Sequence, residues 1–122
     1  KTYYNNYISN KQEFSKMRKI ERQMNSAIRS GRNFTSSNTA VRHGFEGEAD
    51  VYLHGNHIAT VKSNSIIIKD GGWQSNTTKS RLNALLDEFS YGMRVFQKNY
   101  EWFVSYKNVK EDFVSGMELA ID

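Results

Sequence analysis

Asp50-Val51-Tyr52-Leu53-His54-Gly55-Asn56-His57-Ile58-Ala59-Thr60-Val61-Lys62 is the stretch that decides the fold class. β-Branched and aromatic residues alternate with polar ones on both sides of Gly55-Asn56, the period-two pattern of half-buried strands. Gly-Asn tolerates positive φ and reads as a two-residue hairpin turn. The pattern predicts strands over Asp50–Leu53 and Ile58–Lys62, with Leu53 facing Ile58, Val51 facing Thr60 and His54 opposite His57. Ser65–Lys69 carries Ile66-Ile67-Ile68 at its centre and predicts a third strand, because a β-branched run fits a pleated surface better than a helix. Asp70-Gly71-Gly72 ends it.

Working outward toward the C-terminus, the period becomes helical. Leu82, Leu85, Leu86 and Phe89 share one face of a helix predicted over Thr78–Tyr91, with Lys79, Asn83 and Asp87 pointing away. Asn76, Thr77 or Thr78 caps it and Gly92 closes it. Met93–Gln97 and Tyr100–Tyr106 then predict a second hairpin around Lys98-Asn99. It sets Met93 and Val95 against Val104 and Trp102, with Phe96 and Phe103 on the other face. Phe113–Ile121 is expected to add an edge strand after Gly116.

Working outward toward the N-terminus, residues 1–10 are Asn/Tyr-rich and aperiodic, the expected flexible tail. Residues 11–32 predict a basic amphipathic helix. Phe14, Met17, Ile20, Met24, Ala27 and Ile28 form its apolar stripe, Asn10 and Glu13 its capping box, and Gly31 its stop. Residues 33–38 read as a Ser/Thr/Asn connector, and 39–122 as the body. The expected class is α+β: an antiparallel β-meander packed by one helix, led by the basic N-terminal helix.

The chain has 122 residues, room for one domain. It has no cysteine, which excludes disulfides, thiolate metal sites and cysteine nucleophiles. No apolar run approaches the ~20 residues of a membrane span, and the first residues lack the apolar core of a signal peptide. Charge is segregated. Residues 1–32 hold eight of the 17 Lys+Arg and two of the 13 Asp+Glu, a net of +6; the remaining nine basic and eleven acidic residues give −2, which sums to +4. A basic arm on a near-neutral body points to an anionic partner.

The residues expected to meet that partner are Lys16, Arg18, Lys19, Arg22, Arg29 and Arg32, which fall largely off the apolar stripe and suit phosphates or an acidic protein surface. The competing reading is a solvated face whose stripe packs on the body. His54 and His57 form an incomplete metal pair, because a site needs a third ligand and neither His43 nor Asp50 is brought close by spacing; no metal is expected. Gly71-Gly72-Trp73 before Thr77-Thr78-Lys79 lacks the spacing of a phosphate loop, so Trp73 is expected to pack under the helix start. Tyr100, Trp102, Phe103 and Tyr106 read as core, with a stacking platform for single strands as the alternative.

Four segments also carry a resemblance: His54-Gly55-Asn56-His57-Ile58-Ala59, Gly72-Trp73, Thr77-Thr78-Lys79-Ser80-Arg81-Leu82-Asn83 and Trp102-Phe103. Together they resemble a widespread group of small phage-encoded proteins of largely unassigned role, over residues 50–105. The resemblance implies phage origin and a host bacterial cytoplasm, and leaves the basic helix outside the shared segment. The expected function is that of a phage accessory protein that binds and inhibits a host defence complex, most specifically an anti-CRISPR protein acting on an RNA-guided nuclease. A phage DNA- or RNA-binding regulatory protein is the alternative, and a small nuclease ranks third. The expected partner is a host defence protein or its guide RNA, or nucleic acid directly, with no membrane, no cofactor and no catalysis.

Overall fold

Pairs of residues with positive φ turn the strands back on themselves. In the computed structural model, which describes residues 17–121, these pairs are His54-Gly55 (φ 53° and 79°), Asn99-Tyr100 (52° and 67°) and Lys107-Asn108 (48° and 69°). Two successive positive φ values are what a type I′ hairpin turn requires. The first turn therefore sits one residue earlier than Gly55-Asn56, since His enters the left-handed region more readily than most residues.

That shift corrects the expected register. Strands β1 (Phe34–Ser36), β2 (Thr39–His43), β3 (Ala49–Leu53), β4 (Asn56–Val61) and β5 (Ser65–Ile68) form a meander. Leu53 pairs with Asn56 and Tyr52 with His57, after which a bulge moves Val51 opposite Ala59 and Asp50 opposite Thr60. His54 is thus not opposite His57. The bulge leaves Ile58 between two ladder positions and lets Ile58 and Ala59 both be buried.

β1 lies within the expected 33–38 connector. Three residues pair with β2, and Arg42 Nη1 donates to the Phe34 carbonyl (3.2 Å) and to Thr35 Oγ1 (3.0 Å), fastening this edge. The other edge of the six-stranded antiparallel sheet is β9 (Met117–Ala120), which pairs with β5 after Gly116, as expected. A second sheet holds β6 (Arg94–Lys98), β7 (Glu101–Tyr106) and β8 (Val109–Asp112). The turn falls at Asn99-Tyr100, one residue later than the expected Lys98-Asn99, so Val95 faces Val104 and not Trp102, and Phe96 faces Phe103; a two-residue shift of pairing keeps each side chain on the face that the alternation predicts. β8, exposed throughout and polar after Val109, carries no hydrophobic period to announce it.

Helix α1 spans Lys19–Ser30. Residues 1–16, with the expected tail, the Asn10–Glu13 capping box and Phe14, lie outside the described residues. Met17 and Arg18 are not helical: Arg18 is extended (φ −67°, ψ 151°) and its N–H is accepted by Glu21 Oε1 at 3.1 Å, so Glu21 is the capping acid of the described helix. Gly31 (φ 71°) ends it as expected, with the Arg32 N–H returning to the Ala27 carbonyl at 3.0 Å. Helix α2 spans Asn76–Phe89, and its cap is Ser75, whose Oγ accepts from the Thr78 N–H at 3.1 Å. The fold is α+β. α1 and α2 pack on each other and on the six-stranded sheet, where Met24 and Ala27 join Val41, Val51, Ile66, Ile68, Leu82, Leu85 and Leu86 in the core.

Polar side chains inside that core were not expected there. Asn83, predicted to point away, donates to the Val95 carbonyl (2.9 Å) and accepts from the Val95 N–H (2.7 Å), joining α2 to β6. Arg81 is buried and fully engaged. Its Nη1 meets Glu21 Oε2 at 2.7 Å, its Nε donates to Thr39 Oγ1 at 3.0 Å and its Nη2 to Asn38 Oδ1 at 3.1 Å, while Ser80 Oγ donates to the same Glu21 oxygen at 2.6 Å. Trp73, expected beneath α2, is 76% exposed.

Two stability outcomes follow. Leu85→Ala, which empties a fully buried site, is expected to cost about 2–5 kcal/mol in denaturant unfolding. Arg81→Met leaves Glu21 as an uncompensated buried charge at a cost of about 3–5 kcal/mol, and adding Glu21→Leu is expected to recover much of it. A double variant no more stable than Arg81→Met would refute the pairing.

Candidate nucleic-acid interface

The cations predicted from the sequence separate into two groups along α1. Arg18, Lys19 and Arg22 lie at its N-terminal end and are exposed. Arg22 Nη1 donates to the Met17 carbonyl at 2.6 Å, which holds the guanidinium near the start of the helix. Among the described residues neither Arg18 nor Lys19 forms an ion pair. Arg29 and Arg32, also exposed, are tied to the protein itself. Arg29 pairs with Glu88, donates to the Glu88 carbonyl at 3.1 Å and lies 4.9 Å from the Phe89 ring centroid; Arg32 Nη2 donates to Ser26 Oγ at 3.2 Å. Lys16 lies outside the described residues.

The N-terminal group is unusual for a helix. The positive end of the helix dipole disfavours cations and favours anions. The acid of this first turn, Glu21, points inward to Arg81, so three outward cations add to the dipole instead of offsetting it. Helix stability gives no reason for that arrangement, whereas attraction of an anion does.

Grooves adjoin this end of α1 on three sides, one of them between Lys19 and the β1–β2 turn. Another, of about 450 Å³, is lined by Met17, Arg22, Asn25 and Arg29 among others. The third, of about 370 Å³, runs over α2 and is lined by Met17, Lys79, Asn83 and Arg94 among others. Lys79 and Arg94, which lie on separate elements, meet in this groove together with the acids Glu21 and Asp87, and Asp87 pairs with Arg94. A cleft of about 1050 Å³ lies elsewhere. Glu46, Glu48, Asp87 and Glu88 are among its lining residues, a charge that repels phosphate.

The two histidines do not converge. His54 is exposed at its turn, while His57 lies on the sheet face away from the helices, its ring tilted 35° against Tyr52 with centroids 5.3 Å apart. Thr60 Oγ1 donates to Asp50 Oδ1 at 2.6 Å and accepts from His57 Nε2 at 2.9 Å. That order leaves His57 Nδ1 to accept from Lys69 Nζ at 3.3 Å. Each member of this chain has partners, and it ties β3, β4 and the end of β5 together. Glu118 on β9 is held below the ordinary carboxylate range first by the Ser65 hydroxyl and then by Lys62. Among the described residues no group of three His, Asp or Glu is placed to hold a metal. The Gly71-Gly72 turn does not present open amides either: Asp70 Oδ1 accepts the Gly72 N–H at 2.8 Å, so its own carboxylate stands where a phosphate would bind.

A family model described as Kyanoviridae Gp96 protein matches residues 17–120. The chain belongs to that family. It is therefore a phage protein, as the resemblance over residues 50–105 implied, and the family match takes in α1 as well as the body. No curated protein and no solved structure matches the chain. Among the described residues no helix is long and apolar enough to cross a membrane.

The separation of His54 from His57 has a direct check. Protein purified without added metal is expected to carry sub-stoichiometric zinc and manganese by elemental analysis. A one-to-one metal lost on combined His54→Ala and His57→Ala substitution would overturn that expectation.

Proposed function

We propose that this phage protein acts by binding, without catalysis, and that the outward cations of the first turn of α1 engage the phosphates of RNA. The observation that carries the reading is the set of Arg18, Lys19 and Arg22, exposed together at the positive end of a helix whose one first-turn acid is turned inward. In the host cytoplasm the RNA is the guide of an RNA-guided nuclease, and binding it inhibits that host defence complex; the protein is then an anti-CRISPR protein. A phage regulator that binds DNA or RNA directly would use the same cations. It is favoured over the inhibitor if naked nucleic acid binds as tightly as the assembled nuclease does. No metal or cofactor enters either reading.

Charge reversal tests the proposal. Arg18→Glu, Lys19→Glu and Arg22→Glu combined put acids in the first turn of α1, where the dipole favours them, so Tm is expected to hold or rise. Affinity for RNA, or inhibition of the nuclease, is expected to fall by about two orders of magnitude or more, and the slope of log K against log salt to flatten by about 2, at roughly 0.7 per phosphate contact. A folded triple variant with full affinity would show that α1 serves packing alone.

A further inference from the structure

The second sheet is covered on one face only. Val95, Trp102 and Val104 are buried, and α2 meets that side through Asn83. On the other side Arg94, Phe96 and Lys98 of β6 lie with Phe103 of β7 and Lys110 of β8. Phe96 and Phe103 are cross-strand partners whose rings stack with centroids 5.6 Å apart at 30°. Lys110 Nζ lies 4.4 Å from the Phe103 centroid. Both rings are only half-buried, and Tyr100 at the β6–β7 turn is 94% exposed.

We propose that this outer face is a stacking platform for unpaired nucleotides of RNA, continuous with the cationic turn of α1; the proposal rests on the RNA-binding reading above. Continuity comes from the groove over α2. Met17, which immediately precedes Arg18, and Arg94, two residues before Phe96 on the platform face, line the same groove as Lys79. A strand held by phosphate contacts at Arg18, Lys19 and Arg22 reaches the aromatic pair along this groove, past Lys79 and past the acids Glu21 and Asp87 that also line it, Glu21 being turned to Arg81 and Asp87 to Arg94.

Chemistry on the face itself selects a single strand. Aromatic rings on an exposed sheet stack on bases, and bases are offered only where they are not paired in a duplex. Charge alone is insufficient here, because Glu101 and Asp112 share the face with Arg94, Lys98 and Lys110, and Arg94 Nη1 is already 3.1 Å from Asp87 Oδ1. Stacking therefore carries the selectivity, and Lys98 and Lys110 supply phosphate contacts beside the rings.

The experiment measures fluorescence anisotropy of a labelled polyuridine strand, alone and annealed to polyadenosine, against the full chain over a range of salt. The expected result is preference for the single strand. Phe103→Leu keeps an apolar side chain at a half-buried site, so it is expected to fold. It should weaken single-strand binding about 5- to 150-fold, the loss of one stacked base, without changing the salt slope. Phe103→Tyr is expected to retain affinity. Lys98→Ala with Lys110→Ala is expected to flatten the slope by about 1.4; these exposed changes also decide the matter should Phe103→Leu unfold. Equal binding of duplex and single strand, or wild-type affinity in a folded Phe103→Leu, overturns the platform. If the charge-reversed α1 variant still loses binding in that case, the RNA-binding reading stands and only the platform falls. Failure of the unmutated chain to bind either probe overturns both.

Discussion

The buried ion pair between Glu21 and Arg81 is the constraint on which the rest of this structure depends. It joins α1 to α2, and Arg81 carries the link on to Asn38 and Thr39 at the β1–β2 turn. Taking two charges out of water is costly, and their mutual attraction offsets that cost only when the remaining hydrogen-bonding capacity is also met. Here it is: Arg81 spends Nε, Nη1 and Nη2 on three partners, and Glu21 accepts from Arg81, Ser80 and the Arg18 N–H. A network with so many mutual requirements admits few alternative arrangements of helix against sheet.

The same pair shapes the surface. A helix start ordinarily offsets its dipole with an outward acid. Glu21 satisfies the cap from within and turns its charge to Arg81, which leaves Arg18, Lys19 and Arg22 facing outward over a positive helix end. Buried and exposed charges are thus separated by the direction in which each side chain points. Arg29 and Arg32 are engaged within the protein, Arg22 keeps one contact with the Met17 carbonyl, and Arg18 and Lys19 form no ion pair among the described residues.

The two sheets divide the remaining work. The six-stranded sheet has its uncovered face knitted by the Asp50–Thr60–His57–Lys69 chain, in which each member already has a partner. The three-stranded sheet instead presents two phenyl rings beside lysines.

Much of this was written locally in the chain. The β3–β4 and β6–β7 hairpins follow from alternation and from residues that accept positive φ, α2 from the spacing of Leu82, Leu85 and Leu86, the stop of α1 from Gly31, and the cationic segment from simple counting. Those features depend on neighbours a few positions apart. Glu21 and Arg81 each lie on the apolar stripe of a helix, a signal that one acid and one base inside the core should pair, but 60 positions separate them and nothing local brings them together. Tertiary structure alone decided that pairing. It also decided the His54-Gly55 turn with its bulge at Ile58, the strand at Phe34–Ser36, the burial of Asn83 and the exposure of Trp73. The physical reason is common to all of these. A periodic pattern specifies which face of an element is apolar, whereas the partner of a polar side chain, the exact register of a strand and the cover over an aromatic ring are set by whichever distant residue arrives opposite.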